Sequence, residues 1–488
     1  MLVTLYTTRV VLNVLGETNY GIYNIIGGVV VLFAFLNNAM SGATQRYLSF
    51  ALGKNDFNLY NRYYSASLMS YIVLAIVIVI LAETLGLWFV NARLTIPSGR
   101  MNAANVVYQF TILTFVINLF KIPFEAAVIS HERMSFYAYL SIVDVILRLC
   151  LVFLLIVLPG DKLIDYAALM MIIPLGITLS FAFFCTKKLG CKFIGIIDKN
   201  LLKDLFSFSG WTLLGGLANV AARQGGNILI NIFYGVTVNA AFGIANQVSS
   251  AVTSLVGSFQ TAFRPQIIKL YASEQKEELD KLIFRTSAWS YYLMLVIMLP
   301  ISFNLSDILS MWLVEVPQYC NVFIILLFVY CMIDALQAPL ITNITATANI
   351  KVYQIWLSAI LILNLPISYL FFINGWPPYF FFIVYATLNL ITAIIRTLYA
   401  KSFINFPASL YTRKVIFKIA IVTVVALTFS WPINFLIPDF KFSFLLSCMI
   451  IFILTSGVIY VLGFEKHERD LLNNVIRNFV ISKFHNLK

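Results

Sequence analysis

The stretch FSFSGWTLLGGLANVAARQGGNILINIFYGVTVNAAFGIANQVSSAVTSLVGSFQTAFRP, Phe206–Pro265, decides the fold class. It holds two apolar spans, Phe206–Tyr234 and Asn239–Phe263, each long enough to cross a hydrocarbon core of about 30 Å. Arg223-Gln224-Gly225-Gly226 stands inside the first span, and Arg264-Pro265-Gln266 closes the second. A guanidinium cannot shed its proton, and at mid-membrane it costs at least about 2.5 kcal/mol. Arg223 therefore needs a carboxylate, a water-filled cavity or an anionic ligand, and this need is the main clue to function.

Working outward, the whole chain shares this character. Of its 488 residues 61% are apolar and 11% charged, with a mean hydropathy of +0.90, whereas a soluble domain carries about 25% charged residues. The chain reads as an all-α polytopic membrane protein. Its net charge of +12 is spread through short loops, which suits membrane topology and not nucleic-acid binding. The six cysteines form no Cys-x-x-Cys and have no histidine at metal-ligand spacing, so they read as small hydrophobes and no metal is expected. His131, His467 and His485 lie far apart in short loops or the tail without metal spacing, His131 beside Glu132 and Arg133 reads as solvated, and the absence of a Gly-x-x-x-x-Gly-Lys-Ser/Thr run excludes a P-loop ATPase. Neither an enzyme nor a bound cofactor is expected.

Apolar segments near 2–16, 21–47, 65–92, 105–130, 136–158, 164–187, 206–234, 239–263, 286–306, 320–346, 353–373, 378–400, 415–436 and 442–463 predict about fourteen transmembrane helices. Met1–Gly16 is too short to cross comfortably and reads as an incomplete first helix with Arg9 in its middle. Alternating loops divide the 33 Lys and Arg unevenly, roughly twenty-five on one set against about four on the other. The richer set, which includes Arg396–Lys418, is cytoplasmic by the positive-inside rule, and an even span number puts both termini there. Trp88, Trp312, Trp376 and Trp431 fall near the outer span ends, as an interfacial belt would.

Lys192–Leu205 and Ile267–Ile283 mix apolar and charged residues and predict amphipathic interfacial helices, as does the tail from Glu465. The chain also repeats itself. Ile122-Pro123-Phe124 through Leu149 aligns without gaps on Ala338-Pro339-Leu340 through Leu365, and Gly21-Ile22-Tyr23-Asn24 matches Gly243-Ile244-Ala245-Asn246. The expected organisation is a six-helix bundle over 1–187, an amphipathic linker over 188–205, a second six-helix bundle over 206–401, two added helices over 402–464 and a cytoplasmic tail over 465–488. Repeats of this kind imply a site at the midplane and rocking of one half against the other.

Several runs carry a family likeness: Leu15-Gly16-Glu17-x-x-Tyr20-Gly21-Ile22-Tyr23, Phe206-Ser207-x-Ser209-Gly210-Trp211, Gly226-Asn227-Ile228-Leu229-Ile230-Asn231, Asn239-Ala240-Ala241-x-Gly243-Ile244-Ala245 and Ala262-x-Arg264-Pro265-Gln266-Ile267-x-Lys269. With the span count and the twofold pattern, the chain resembles the polysaccharide-transport (Wzx, O-antigen flippase) branch of the multidrug/oligosaccharidyl-lipid/polysaccharide (MOP, MATE-like) exporter superfamily. The resemblance implies a bacterial inner-membrane flippase. Its cargo would be an undecaprenyl-diphosphate-linked oligosaccharide, turned to the periplasmic leaflet for O-antigen, capsule or exopolysaccharide synthesis. Its partners would be membrane lipids and the polymerase or ligase machinery. A MATE-type ion-coupled drug or metabolite antiporter and a lipid II flippase are the alternatives. A membrane glycosyltransferase or polymerase would need a larger external loop than any present.

A polyanionic neck calls for cations inside a cavity, and arginine pairs with phosphate bidentately. Arg223, Arg264, Arg46, Arg148 and Arg9 are the candidates, Arg223 and Arg264 first. Each has a plainer reading beside it: Arg46 and Arg264 lie at cytoplasmic helix ends, where basic residues are ordinary, and Arg148 follows Asp144 at ion-pair spacing. Glu125, Asp334 and Asp144 could couple transport to protons or sodium, or could simply pair with Lys121, Arg148 and polar groups.

Overall fold

The computed structural model describes residues 10–11, 14–16, 19, 21–23, 26–27, 35–92, 96–195, 198–313, 316–433, 443–470 and 473. Among these every regular element is helical, and ten helices are long and apolar enough to cross a membrane. The chain is an all-α polytopic membrane protein. Most of the expected span 2–16, with Arg9, part of 21–47 and most of the tail, lies outside the described residues.

We number the helices from Phe35. They are α1 (Phe35–Gly53), α2 (Phe57–Ala92), α3 (Met101–Ser130), α4 (Met134–Val157) and α5 (Lys162–Lys187). A helical run over Lys199–Ala272 follows, broken at Gly235 into α6 (Lys199–Gly235) and α7 (236–272). Then come α8 (Lys276–Phe303), the short α9 (Leu305–Trp312), α10 (Cys320–Ala346), α11 (Lys351–Ile373), α12 (Phe380–Ile404), α13 (408–430) and α14 (Ser443–Gly463).

Local chemistry sets these boundaries. Asp56, Asp161 and Asp198 each accept from a backbone N–H in the first turn of α2, α5 and α6, filling orphan donors at the helix starts. Gly235 has φ 79° and ψ −175°, a backbone that only glycine enters without strain, and it folds the chain back between α6 and α7. Tight turns after α1, α3, α7, α10 and α12 pass through left-handed residues: Asn55, Glu132, Glu274, Ala348 and Asn405. Glu132 (φ 58°) and Ala348 (φ 63°) stand at the same place in the two aligned repeats. Pro123 and Pro339 likewise coincide, each inside its helix seven residues before the last residue, Ser130 or Ala346.

The chain falls into two compact units, Met1–Gly216 with Ile268–Glu274, and Leu217–Ile267 with Gln275–Lys488. In the first, Val107, Tyr108 and Ile112 of α3 pack with Leu163 and Ala167 of α5. Tyr108 also donates to the Ala82 carbonyl (2.7 Å), at a π turn in α2. In the second, Ile230, Ala241, Phe323, Phe328, Phe381 and Phe382 form the core, where burial of the rings is reinforced by tilted and edge contacts. Outer helix faces are apolar instead of charged: Ile142, Ile146, Phe153 and Val157 of α4 are all exposed, as a lipid-facing surface requires. Trp88, Trp312, Trp376 and Trp431 are exposed as well.

Two expectations fail. No separate interfacial helix occupies the described part of 192–205: residues 192–195 are irregular, and the helix that begins at Lys199 is α6 itself. Nor does one fill 267–283, where α7 runs on to Ala272 and α8 starts at Lys276 after a three-residue turn. In both places the apolar and charged mixture belongs to extensions of long helices beyond the apolar window.

Candidate functional site

Gly235 is the geometric origin of the site. Arg223 lies twelve residues before it on α6 and Asn246 eleven after it on α7, so the turn brings the two side by side. Arg223 Nη2 donates to Asn246 Oδ1 at 3.1 Å, while Asn246 Nδ2 donates to the Phe242 carbonyl at 2.9 Å and so fixes the amide with its oxygen toward the guanidinium. A cavity of about 310 Å³ opens here, lined by Arg223, Gln224, Asn227 and Asn246 together with Val220, Phe242 and Gly243. No carboxylate lies within ion-pair distance of Arg223 among the described residues. Its charge is solvated by amides and stays available to an anion, and its field reaches Cys331 and Tyr385 within the same unit.

The glycines after Arg223 explain how this helix sits. A Cβ on Gly226 would stand 2.1 Å from Phe381 Cζ and one on Gly225 2.7 Å from the Leu365 methyls. The missing side chain at Gly226 lets α6 press against the Phe381 ring of α12, and at Gly225 the helix meets the flexible end of Leu365 on α11.

The other sequence candidates are dispersed. Arg264 is exposed on α7 with no carboxylate at ion-pair distance among the described residues. Arg46 is buried on α1, its guanidinium 4.3 Å from the Tyr47 ring and 5.1 Å from Phe50, with Phe208 at 5.8 Å. Arg148 Nε donates to Asp144 Oδ2 at 2.9 Å along α4. Glu125 lies 3.5 Å from Lys121 one turn earlier. Asp334 stands at the middle of α10, exposed, in the field of Arg396. Within the second unit the structure thus brings together Arg223, Gln224, Asn227 and Asn246, and no other described arginine of that unit lines the cavity.

Sequence reasoning missed Arg396. Counted among loop residues, it lies on α12 eight residues before the helix ends, 3% exposed, with Nε donating to the Tyr353 hydroxyl at 2.9 Å and Nη1 unpaired. Asn389 and Thr392, both buried on the same helix, precede it at helical spacing, and that polar seam was the available signal. His131 is also not the solvated residue expected. It is half-buried, 5.1 Å from the Tyr60 ring, and desolvation with the charges of Lys269 and Arg133 pushes its pKa down to about 4.

Residues 1–271 match the model of the polysaccharide biosynthesis protein family. The chain belongs to that family. It is 21% identical over 282 residues to the uncharacterized membrane protein EpsK of Bacillus subtilis, a match covering 57% of this chain and about half (55%) of that protein. In fold it resembles an outward-facing multidrug resistance MATE family transporter of the MOP superfamily, with a TM-score of 0.70 at 14% identity over 83% of this chain and 92% of that one. The Vibrio cholerae MATE transporter VcmN gives 0.67 at 16% over 83% and 93%. A MOP superfamily transporter from Pyrococcus furiosus, described as having a binding pocket of reverse polarity that suggests a different function, gives 0.61 at 13% over 83% and 96%. These likenesses establish a MATE-like transporter fold.

Proposed function

We propose that the protein is a flippase for an undecaprenyl-diphosphate-linked oligosaccharide, moving it from the cytoplasmic to the periplasmic leaflet of a bacterial inner membrane by alternating access. The observation that carries this reading is the Arg223 cavity: a permanent cation in mid-span, held by a neutral amide and opening on a polar hollow. A diphosphate supplies the charge that such a site lacks, and a guanidinium fork offers two parallel donors to it. Arg264, exposed eighteen residues beyond Asn246 on α7 and so about 27 Å further along the helix, would meet the neck at a different stage of the crossing. Membership of a polysaccharide biosynthesis family and the transporter fold support the reading.

In this mechanism the polyprenyl tail stays in lipid while the arginines neutralise the neck and the glycan crosses in a wet interior. No bond is made or broken. Proton or sodium coupling would draw on Asp334, the candidate carboxylate not paired with a neighbour one turn away, before Glu125 or Asp144. O-antigen, capsule and exopolysaccharide units share the neck chemistry on which the proposal rests. A drug antiporter for cationic substrates would place carboxylates in the cavity, where this chain has an arginine and amides.

The test is translocation of a polyprenyl-diphosphate-linked oligosaccharide by the purified protein in liposomes. Arg223→Gln should abolish it with insertion unchanged, and Arg223→Lys should retain part if charge matters more than the fork. Undiminished translocation by Arg223→Gln removes the residue from the mechanism.

A further inference from the structure

Helix α7 is two-faced. Its buried side is apolar: Ala241, Phe242, Ala245, Val252 and Val256 belong to the core of the second unit. Its exposed side carries Gly243, Gln247, Ser250, Ser254 and Ser258, followed by half-buried Thr261 and exposed Arg264. These residues recur every three or four positions, and at 100° per residue they share a sector roughly 120° wide. From Gly243 to Arg264 the sector runs for about 30 Å, the thickness of a hydrocarbon core.

Acyl chains do not explain such a surface. Where α4 is exposed it offers Ile142, Ile146, Phe153 and Val157, and α7 itself offers Leu255, 61% exposed, only outside this sector. Within the sector there is no large apolar side chain over some six turns. Ser258 and Thr261 spend their protons on carbonyls one turn back, at 3.1 and 2.9 Å, which leaves oxygen lone pairs facing outward as acceptors. At its outer end the sector runs into the cavity of Arg223, since Gly243 and Asn246 line both. A polar lane that starts beside an uncompensated cation and ends on another is built for a ligand with a charged end and a hydroxyl-rich body.

We propose that this lane contacts the glycan during translocation, with Gln247, Ser250, Ser254, Ser258 and Thr261 exchanging hydrogen bonds with sugar hydroxyls. The inference rests on the flippase reading and adds to it the surface that meets the sugar. A sugar hydroxyl both donates and accepts, so a face of hydroxyls and one amide pairs with it in many registers, whereas an apolar face would strand it. Small side chains keep the lane wide, and the lack of ionisable groups between Gln247 and Thr261 leaves charge recognition to the arginines. Small polar faces also serve as helix packing surfaces in membranes, and the experiment separates the two roles.

The six native cysteines are first replaced in a variant that still translocates a polyprenyl-diphosphate-linked trisaccharide in liposomes. Ser250→Cys, Ser254→Cys, Ser258→Cys and, as control, Leu255→Cys are then exposed to a membrane-impermeant methanethiosulfonate. The three lane positions should react faster than the control by about tenfold, as aqueous thiols do relative to lipid-facing ones, and the trisaccharide-bearing lipid should slow them where polyprenyl diphosphate alone does not. Ser254→Trp should cut trisaccharide translocation by about tenfold through loss of width while leaving polyprenyl diphosphate binding intact. Lane cysteines no more reactive than the control, or indifferent to the trisaccharide, overturn the lane and leave the flippase reading standing. A parent protein that translocates no trisaccharide overturns both.

Discussion

Arg396 Nε and the Tyr353 hydroxyl form a 2.9 Å hydrogen bond between α12 and α11, with both residues buried. A hydrogen bond to a charged group contributes about 1.5–3 kcal/mol, and losing the partner leaves the guanidinium short of an acceptor. Tyr353→Phe should therefore destabilise the second unit by that order, read as a lower midpoint of thermal unfolding in detergent. An unchanged midpoint would show that the contact contributes nothing.

The glycine pair after Arg223 gives a graded expectation. Gly226→Ala drives a methyl into the Phe381 ring, and overpacking of this kind costs about 1–3 kcal/mol. Gly225→Ala meets the end of a flexible leucine and should cost less. The double variant Gly226→Ala/Phe381→Leu should recover stability over Gly226→Ala, and failure to recover would place the cause elsewhere than in that contact.

Asn246 offers the sharpest test of the uncompensated cation. Asn246→Asp places a carboxylate where a neutral oxygen now sits 3.1 Å from Arg223, converting the site to an ion pair. With insertion unchanged, translocation of a diphosphate-linked lipid should fall by at least about tenfold, because the ligand must then displace a built-in anion. Full transport by this variant would mean that the charge of Arg223 is not used.

His131 predicts a pH dependence of known sign. Its folded pKa is held down to about 4 by burial and by Lys269 and Arg133, against an ordinary value of about 6.5. Between these values the unfolded chain binds the extra proton, so stability is full above pH 6.5 and declines as pH falls toward 4. His131→Gln should flatten the melting midpoint over that window, whereas an identical slope in the variant would assign the decline to other groups.

Most of the helices were legible because long apolar runs are set by bilayer thickness alone. The spans expected at 164–187 and 320–346 are found at Lys162–Lys187 and Cys320–Ala346. Where helices outrun the membrane, hydropathy says nothing, which is how α6 and the end of α7 passed for interfacial pieces. The cation of the site was legible in Arg223, since an arginine inside a long apolar span has few explanations. Its amide partner was not, because pairing Arg223 with Asn246 depends on where Gly235 turns the chain. Arg396 was hidden by the opposite error: near a basic loop it looked like topology, although α12 extends eight residues past it.

The turn after α3 and the turn after α10 pass through the same left-handed backbone at Glu132 and Ala348, although the residues there share no chemistry. Alanine gains nothing from that conformation and bears a strain of about 1 kcal/mol that glycine would not. It is held there by the turn itself, which reverses the chain within a few residues after each helix, as Asn55 and Glu274 do after α1 and α7. The backbone path at these corners is thus fixed by the helices it joins, and the side chain that occupies it is free to differ.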